Sequence, residues 1–105
     1  MKKYNAIRTD DAENDLERYI AYLINEKQNP QAASNVLDDY DETIDSLEEV
    51  AGSLREPTSL KLRSRGLKRM NFLHHDYLLL YRIEGETVYI TNVFHQREDF
   101  ESKLR

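Results

Sequence analysis

The sequence predicts an α+β domain in the order β-α-α-β-β-β, with an N-terminal strand and a helical hairpin packed on a small antiparallel sheet. Three observations predict it. Residues 10–51 hold two stretches with apolar residues at helical spacing, divided by Asn29-Pro30. Residues 67–94 hold three runs rich in Leu, Tyr, Ile and Val, divided by His74-His75-Asp76 and Glu84-Gly85-Glu86, each short enough for a hairpin. A length of 105 residues matches one domain, 1–105, with a core of its own.

The first strand is read at 3–8, with Tyr4, Ala6 and Ile7 as its apolar members, and it needs a partner strand from elsewhere. Thr9-Asp10-Asp11 supplies caps and acids for a helix start, with Glu13 three residues after Asp10. Leu16, Tyr19, Ile20, Leu23 and Ile24 follow on one face. Asn29 is a second N-cap, and Pro30 sits at the first helical position, where its missing N–H does no harm. Ala33, Val36, Leu37, Tyr40, Ile44 and Leu47 share a face and Gly52 is a candidate C-cap, so this helix is expected over 30–51. So short a link makes the two helices an antiparallel hairpin.

Residues 53–65 lack periodicity and contain Pro57, Thr58, Ser59 and Ser64, which reads as a loop with a short helical turn around 60–62. Strands at 67–73, 77–83 and 87–94 complete an antiparallel meander. The polar tail 97–105 has Phe100 and Leu104 as anchors. With the helical hairpin on one face of the sheet, the other face is expected to be open for function.

Charge is divided unevenly along the chain. The net is −5, yet residues 1–55 hold six Lys/Arg against thirteen Asp/Glu, whereas residues 56–105 hold nine against seven. From 57 to 75 there are five cations, Lys61, Arg63, Arg65, Lys68 and Arg69, and no acid. Those side chains, with Arg82, are the candidate contacts for an anionic partner such as nucleic acid. The absence of cysteine removes disulfides and thiolate chemistry, and the start of the chain has no apolar stretch for a signal or membrane span. A cytoplasmic protein without membrane association is expected.

Strand alternation places Thr87, Tyr89, Thr91 and Val93 on one side of the last strand and Val88, Ile90, Asn92 and Phe94 on the other. Continued, it puts His95 and Arg97 on a shared side. Leu67, Arg69, Asn71 and Leu73 are co-facial by the same rule, so Arg69 and Asn71 are expected near His95 and Arg97. A histidine with several arginines suits metal-free phosphodiester cleavage, in which a base activates the ribose hydroxyl and guanidinium groups stabilise charge on the phosphate. The plain alternative is a strand-end histidine among ordinary surface arginines.

His74 and His75 are adjacent in a turn with no third ligand, so no metal site is expected. The series Asp38, Asp41, Asp45 and Glu48 reads as a solvated helix face. With three glycines there is no phosphate-cradling loop and no Ser-centred elbow, and no cofactor is called for. Tyr19 and Tyr40 belong to helical stripes and to the core, while Tyr77, Tyr81 and Tyr89 suit packing or base stacking alike.

The meander Tyr77-Leu78-Leu79-Leu80-Tyr81-Arg82-Ile83, then Val88-Tyr89-Ile90 and Val93-Phe94-His95-Gln96-Arg97-Glu98-Asp99-Phe100, resembles the end of toxins of the RelE/ParE superfamily. There a Tyr-Arg-hydrophobic strand precedes a strand closing on His-x-Arg and a nearby aromatic. The element order fits across the chain, and Asp11-Ala12-Glu13-Asn14-Asp15-Leu16 resembles the polar start of the family's first helix. The resemblance implies a toxin of a type II toxin-antitoxin module, neutralised by a cognate antitoxin. It implies one of two actions: ribosome-dependent mRNA cleavage by a metal-independent endoribonuclease (mRNA interferase), or inhibition of DNA gyrase. Carried over, His95 is the acid/base, Arg97 the phosphate-stabilising group and Arg69 a supporting cation. Phe100 stands where RelE-like nucleases place a tyrosine, and Leu73 where they carry an arginine. The expectation is cleavage of mRNA on the ribosome, with gyrase inhibition, or an inactive binding module of the same fold, as the alternatives.

Overall fold

The computed structural model describes residues 2–104; Met1, and Arg105 at the end of the polar tail, lie outside the described residues. In chain order the elements are β1 (Asn5–Arg8), α1 (Asp10–Asn25), α2 (Pro30–Val50), a 3₁₀ turn (Ala51–Ser53), α3 (Leu60–Ser64), β2 (Lys68–Asn71), β3 (Tyr77–Glu84), β4 (Thr87–His95) and α4 (Phe100–Lys103). The sheet order is β1-β4-β3-β2. The meander is antiparallel, and β1 finds its partner in β4, to which it runs parallel from Asn5↔Thr87 to Arg8↔Ile90.

Both long helices start where their caps dictate. Thr9 Oγ1 accepts from the Ala12 N–H at 3.3 Å and donates to the Ile90 carbonyl at 2.7 Å, so the cap also ties α1 to β4. Asn29 caps α2 through the Ala32 N–H at 3.0 Å, and Pro30 opens it. The far end of α2 differs from expectation. Ala51 is still right-handed helical and runs into the 3₁₀ turn, and a Cβ at Gly52 would displace the Tyr4 hydroxyl that lies over it.

The hairpin packs Leu16, Val36, Tyr40, Ile44 and Leu47 against Phe72, Leu79, Tyr81, Val88, Ile90 and Val93 on one face of the sheet. The opposite face, expected to be open, is partly covered. Leu62 of α3, Leu67, Phe100 and Leu104 close over Leu78, Leu80 and Phe94. The cause lies in β3, whose residues Tyr77 through Tyr81 are all buried. A strand with apolar side chains at consecutive positions exposes hydrocarbon on whichever face is left bare. Covering Leu78 and Leu80 is worth about 2 kcal/mol each.

One irregularity in β4 redirects everything after it. Leu80 pairs with Asn92 and Tyr81 with Ile90, so Thr91 is an extra residue, a β-bulge. Val88 and Ile90 face the helices before it and Val93 does so after it, while Phe94 faces away. Strict alternation therefore fails at Thr91, and His95 is carried to the helix-covered face. Because β1 pairs only as far as Ile90, the second half of β4 is an edge covered by α1. There Asp15 Oδ2 accepts the Val93 N–H at 3.0 Å and the Tyr19 hydroxyl accepts that of His95 at 3.2 Å.

Two acids of α2 depart from a solvated face. Asp39, 2% exposed, accepts the His74 N–H on both oxygens at 3.2 and 3.1 Å and meets His75 Nδ1 at 2.7 Å, fastening the β2–β3 turn to the helix. Glu48, expected in solvent with Asp38, Asp41 and Asp45, is buried instead. Its Oε2 accepts the Ala6 N–H at 2.9 Å and Oε1 pairs with Lys2 at 2.7 Å, which clamps β1 to α2. The Ala6 hydrogen bond, then Lys2, hold the Glu48 carboxyl below its ordinary value. A depressed folded-state value means stability that is present above the ordinary carboxylate range and lost as pH falls through the folded value. Glu48→Gln is expected to cost about 1–2 kcal/mol at neutral pH, with the gap to the unmutated chain closing below about pH 4. Thermal melts across pH check it, and a gap independent of pH would remove the carboxylate from the explanation.

Candidate functional site

His95 ends β4, half-buried, with its ring edge-on to Tyr77 at 5.0 Å between centroids. Its backbone N–H donates to the Tyr19 hydroxyl and to Glu98 Oε1, at 3.2 and 3.1 Å, and its Nδ1 accepts the Arg97 N–H at 3.1 Å. Tyr19 donates to Glu98 in turn, and Lys103 pairs with the same carboxylate. A surface pocket of about 540 Å³ lies over this cluster, with Arg18, Tyr22, Leu23 and Lys27 completing its wall.

Electrostatics fixes what these groups can do. Burial alone would raise Glu98, but hydrogen bonds from Lys103, Tyr19 and the His95 N–H hold it below the usual glutamate value. Burial first, and Glu98 second, push the Tyr19 phenol well above its ordinary value; burial chiefly does the same to Tyr77. Neither phenol is a base near neutrality. With Nδ1 accepting from a backbone N–H, the neutral His95 ring carries its proton on Nε2 and presents a donor there, not the lone pair a general base requires.

The other candidate residues are not gathered around His95. Arg97 is exposed, and the contact that joins it to His95 is made by its backbone. Arg69 lies on the opposite face of the sheet, its guanidinium 5.5 Å from the Phe100 ring centroid and its Nε donating to Asn71 Oδ1 at 3.0 Å. The expected neighbourhood of Arg69 and Asn71 with His95 and Arg97 is therefore corrected. The Thr91 bulge turns His95 to the helix side, while Arg69, paired with Leu80, faces away from it.

The basic stretch is also divided. Lys61 donates to the Glu101 carbonyl, Arg63 donates to the Thr58 carbonyl at 3.4 Å, and Lys68 donates to the Leu54 carbonyl at 2.9 Å with Glu56 at 3.6 Å. Arg82 stacks on Tyr89 at 4.5 Å from the ring centroid and approaches Glu84 at 3.4 Å. Arg65 is exposed ahead of β2 and shares a cleft with Arg82. Of the tyrosines that suited packing or stacking, Tyr77 and Tyr81 are core, and the Tyr81 hydroxyl donates to the Ala51 carbonyl at 3.0 Å. Tyr89 faces away from the helices.

His74 Nε2 and His75 Nδ1 are hydrogen-bonded to Glu42 and Asp39 at 2.9 and 2.7 Å, and among the described residues no three His, Asp or Glu side chains form a metal-binding group. Sequence reasoning missed the partners of His95. Tyr19 read as core from its helical stripe and Glu98 as part of a polar tail. The one local signal was Glu98 three residues after His95, the spacing at which a turn returns a side chain to a strand-end N–H.

Among the described residues no helix is long and apolar enough to cross a membrane. Comparison with known proteins places this architecture. No individually curated protein matches the chain. A solved structure titled "Chromosomal ParDE TA system from P. aeruginosa" is similar in fold, with a TM-score of 0.73 and 17% identity, covering 89% of this chain and 96% of that one. The profile of a family described as "ParE toxin of type II toxin-antitoxin system, parDE" matches residues 6–100, from β1 through the first residue of α4. With that match spanning nearly the whole described fold, the chain belongs to the ParE toxin family of type II toxin-antitoxin systems.

Proposed function

We propose that this toxin arrests growth by inhibiting DNA gyrase, in the cytoplasm, and that a cognate antitoxin encoded beside it neutralises it. The observation that carries the reading is the dispersal of the groups that cleavage would need. His95 and Arg69 occupy opposite faces of the sheet, and His95 Nδ1 is engaged by the Arg97 N–H. Metal-free cleavage of RNA requires a base, an acid and guanidinium groups within hydrogen-bond reach of one phosphate. Among the described residues that set is not assembled on either face: Arg18 and Lys27 line the pocket beside His95, but Arg18 is paired with Asp15 and the Nδ1 lone pair of His95 is taken. Inhibition of a protein target requires a shaped surface and no chemistry from the toxin, and the family that matches the chain is the ParE family.

Two assays, one on the purified chain and one in induced cells, test this. Gyrase supercoiling is expected to fall with toxin concentration, and primer extension of mRNA from induced cells is expected to show no new cuts at ribosomal A sites. A-site cuts, lost by about 10²-fold in His95→Ala and Arg97→Ala with supercoiling untouched, would establish mRNA cleavage instead. Harmless expression, with gyrase unaffected, would mark an inactive binding module.

A further inference from the structure

The loop between the 3₁₀ turn and α3 does not close against β2. A pocket of about 420 Å³ separates them, walled by residues 54–59 on one side and by β2 and the start of α4 on the other. Two arginines line it, Arg55 from the loop and Arg69 from the strand. They differ from Arg8, Arg18 and Arg82, which meet the carboxylates of Asp41, Asp15 and Glu84. Among the described residues Arg55 and Arg69 meet no carboxylate. Two acids share the wall. Glu56 is 3.6 Å from Lys68, and Glu101 accepts the Ser59 hydroxyl while the Lys61 ammonium rests on the Glu101 carbonyl. Arg63 reaches the Thr58 carbonyl at 3.4 Å. With the pair of Glu56 and Lys68 set aside, four cations, Arg55, Lys61, Arg63 and Arg69, stand against the one acid Glu101. In a chain with a net charge of −5 this is a local reversal of sign. Arg69 is also held ready for a ligand. Its Nε donates to Asn71 Oδ1 at 3.0 Å and its guanidinium lies 5.5 Å from the Phe100 ring centroid, which restrict its rotamers and leave both terminal nitrogens to donate elsewhere. A donor fixed in advance loses less entropy on binding. The Thr58 hydroxyl, in the same wall, has no hydrogen-bond partner among the described residues, and Leu54, Pro57 and the Phe100 ring add apolar surface.

We propose that this pocket binds a small organic phosphate monoester, its phosphate between the Arg55 and Arg69 guanidiniums and its organic part on Leu54, Pro57 and Phe100. A phosphate monoester near neutrality carries about 1.5 to 2 negative charges, and its terminal oxygens accept from several donors at once, which suits two guanidinium forks and a hydroxyl. A carboxylate brings one charge and two oxygens, and leaves more of the local excess uncompensated. A phosphodiester inside a nucleic acid strand also brings one charge, and its neighbours need a cationic track of their own. Beyond the pocket, Lys61, Arg63 and Lys68 already hold carbonyl oxygens of this chain. The volume lies within the range of small-molecule sites, about 300–1,000 Å³. The apolar surface has no counterpart in free phosphate and is what an organic group beside the phosphate would cover.

The site stands independently of the action on gyrase, so it is tested by binding alone, on the ¹⁵N-labelled full chain. Phenyl phosphate is expected to shift the Arg69 Nε–Hε, Asn71 side-chain amide and Thr58 backbone signals. It is expected to bind about 10-fold more tightly than methyl phenyl phosphate, a diester that keeps the ring and carries one charge. Arg69→Gln and Arg55→Gln should each weaken it about 5-fold, whereas Lys27→Gln, the same change of charge in the pocket beside His95, should leave it unaltered. Arg55 is exposed in a loop, so its variant carries the test if Arg69→Gln fails to fold. The proposal is overturned if phenyl phosphate leaves these signals in place, if Lys27→Gln weakens binding as much as the pocket variants, or if the diester binds as well as the monoester. Inorganic phosphate binding as tightly as phenyl phosphate would overturn it too, by showing that the organic part contributes nothing. A single-stranded hexanucleotide without terminal phosphates that moved the same signals at lower concentration would make the pocket a nucleic-acid site instead.

Discussion

Replacing Asp39 with alanine is expected to cost about 3 kcal/mol and to lower the melting temperature by roughly 10–20 °C. The carboxylate is 2% exposed and every donor around it depends on it. The His74 N–H and His75 Nδ1 reach it from the β2–β3 turn, and the Thr43 hydroxyl reaches it at 3.3 Å from the next turn of α2. Thr43 in turn accepts the Leu73 N–H at 3.1 Å, so two consecutive backbone N–H groups of the turn are satisfied by one helix face. Alanine leaves the Thr43 hydroxyl, which is fully buried, and the His74 N–H without their acceptor. The turn leads directly into Tyr77, whose ring meets both Tyr19 and His95. The loss should therefore also appear as faster amide exchange at His74 and as changed shifts at His95. Asp39→Asn keeps one acceptor oxygen and is expected to lose about half as much. A melting temperature within about 3 °C of the unmutated chain for Asp39→Ala would show that water replaces the carboxylate and that the turn is held by Phe72 and Tyr77 alone.

What could be read in advance follows from how local each signal was. Helix starts were legible because a cap acts within one turn: Thr9 and Asn29 each satisfy an N–H three residues on. Strand existence was legible from apolar runs. The pairing of β1 with β4 was not, because it joins the two ends of the chain and leaves no mark in either. The covered outer face had a signal that was passed over, the consecutive Leu78-Leu79-Leu80, since a strand with one bare face alternates. The bulge at Thr91 had no such signal. It undid the predicted grouping of His95 with Arg69, because one extra residue exchanges the faces of everything beyond it. Acids were the least legible class. Asp15, Asp39 and Glu48 are buried among thirteen acids in the first half of the chain, and nothing local separates them from their solvated neighbours.

Asp15→Ala is expected to be nearly as costly as Asp39→Ala, at about 2–3 kcal/mol, for a reason that also bears on solubility. Among the described residues no strand pairs with β4 on its outer edge beyond Ile90, and Val93, itself fully buried, turns its N–H to α1. Asp15 Oδ2 is the acceptor, and Arg18, one turn along the helix, holds the other oxygen at 2.6 Å. Alanine strands a buried N–H and releases the clasp that keeps α1 over the edge. An uncovered edge of Val93-Phe94-His95 is a template for pairing with another chain. Asp15→Asn retains an amide oxygen for Val93 and loses only the charge, so it is expected to cost under about 1 kcal/mol and not to promote aggregation. The pair of substitutions separates hydrogen bond from ion pair: equal losses in urea unfolding would assign the effect to Arg18, whereas a large loss confined to alanine, with concentration-dependent aggregation, would assign it to the strand edge.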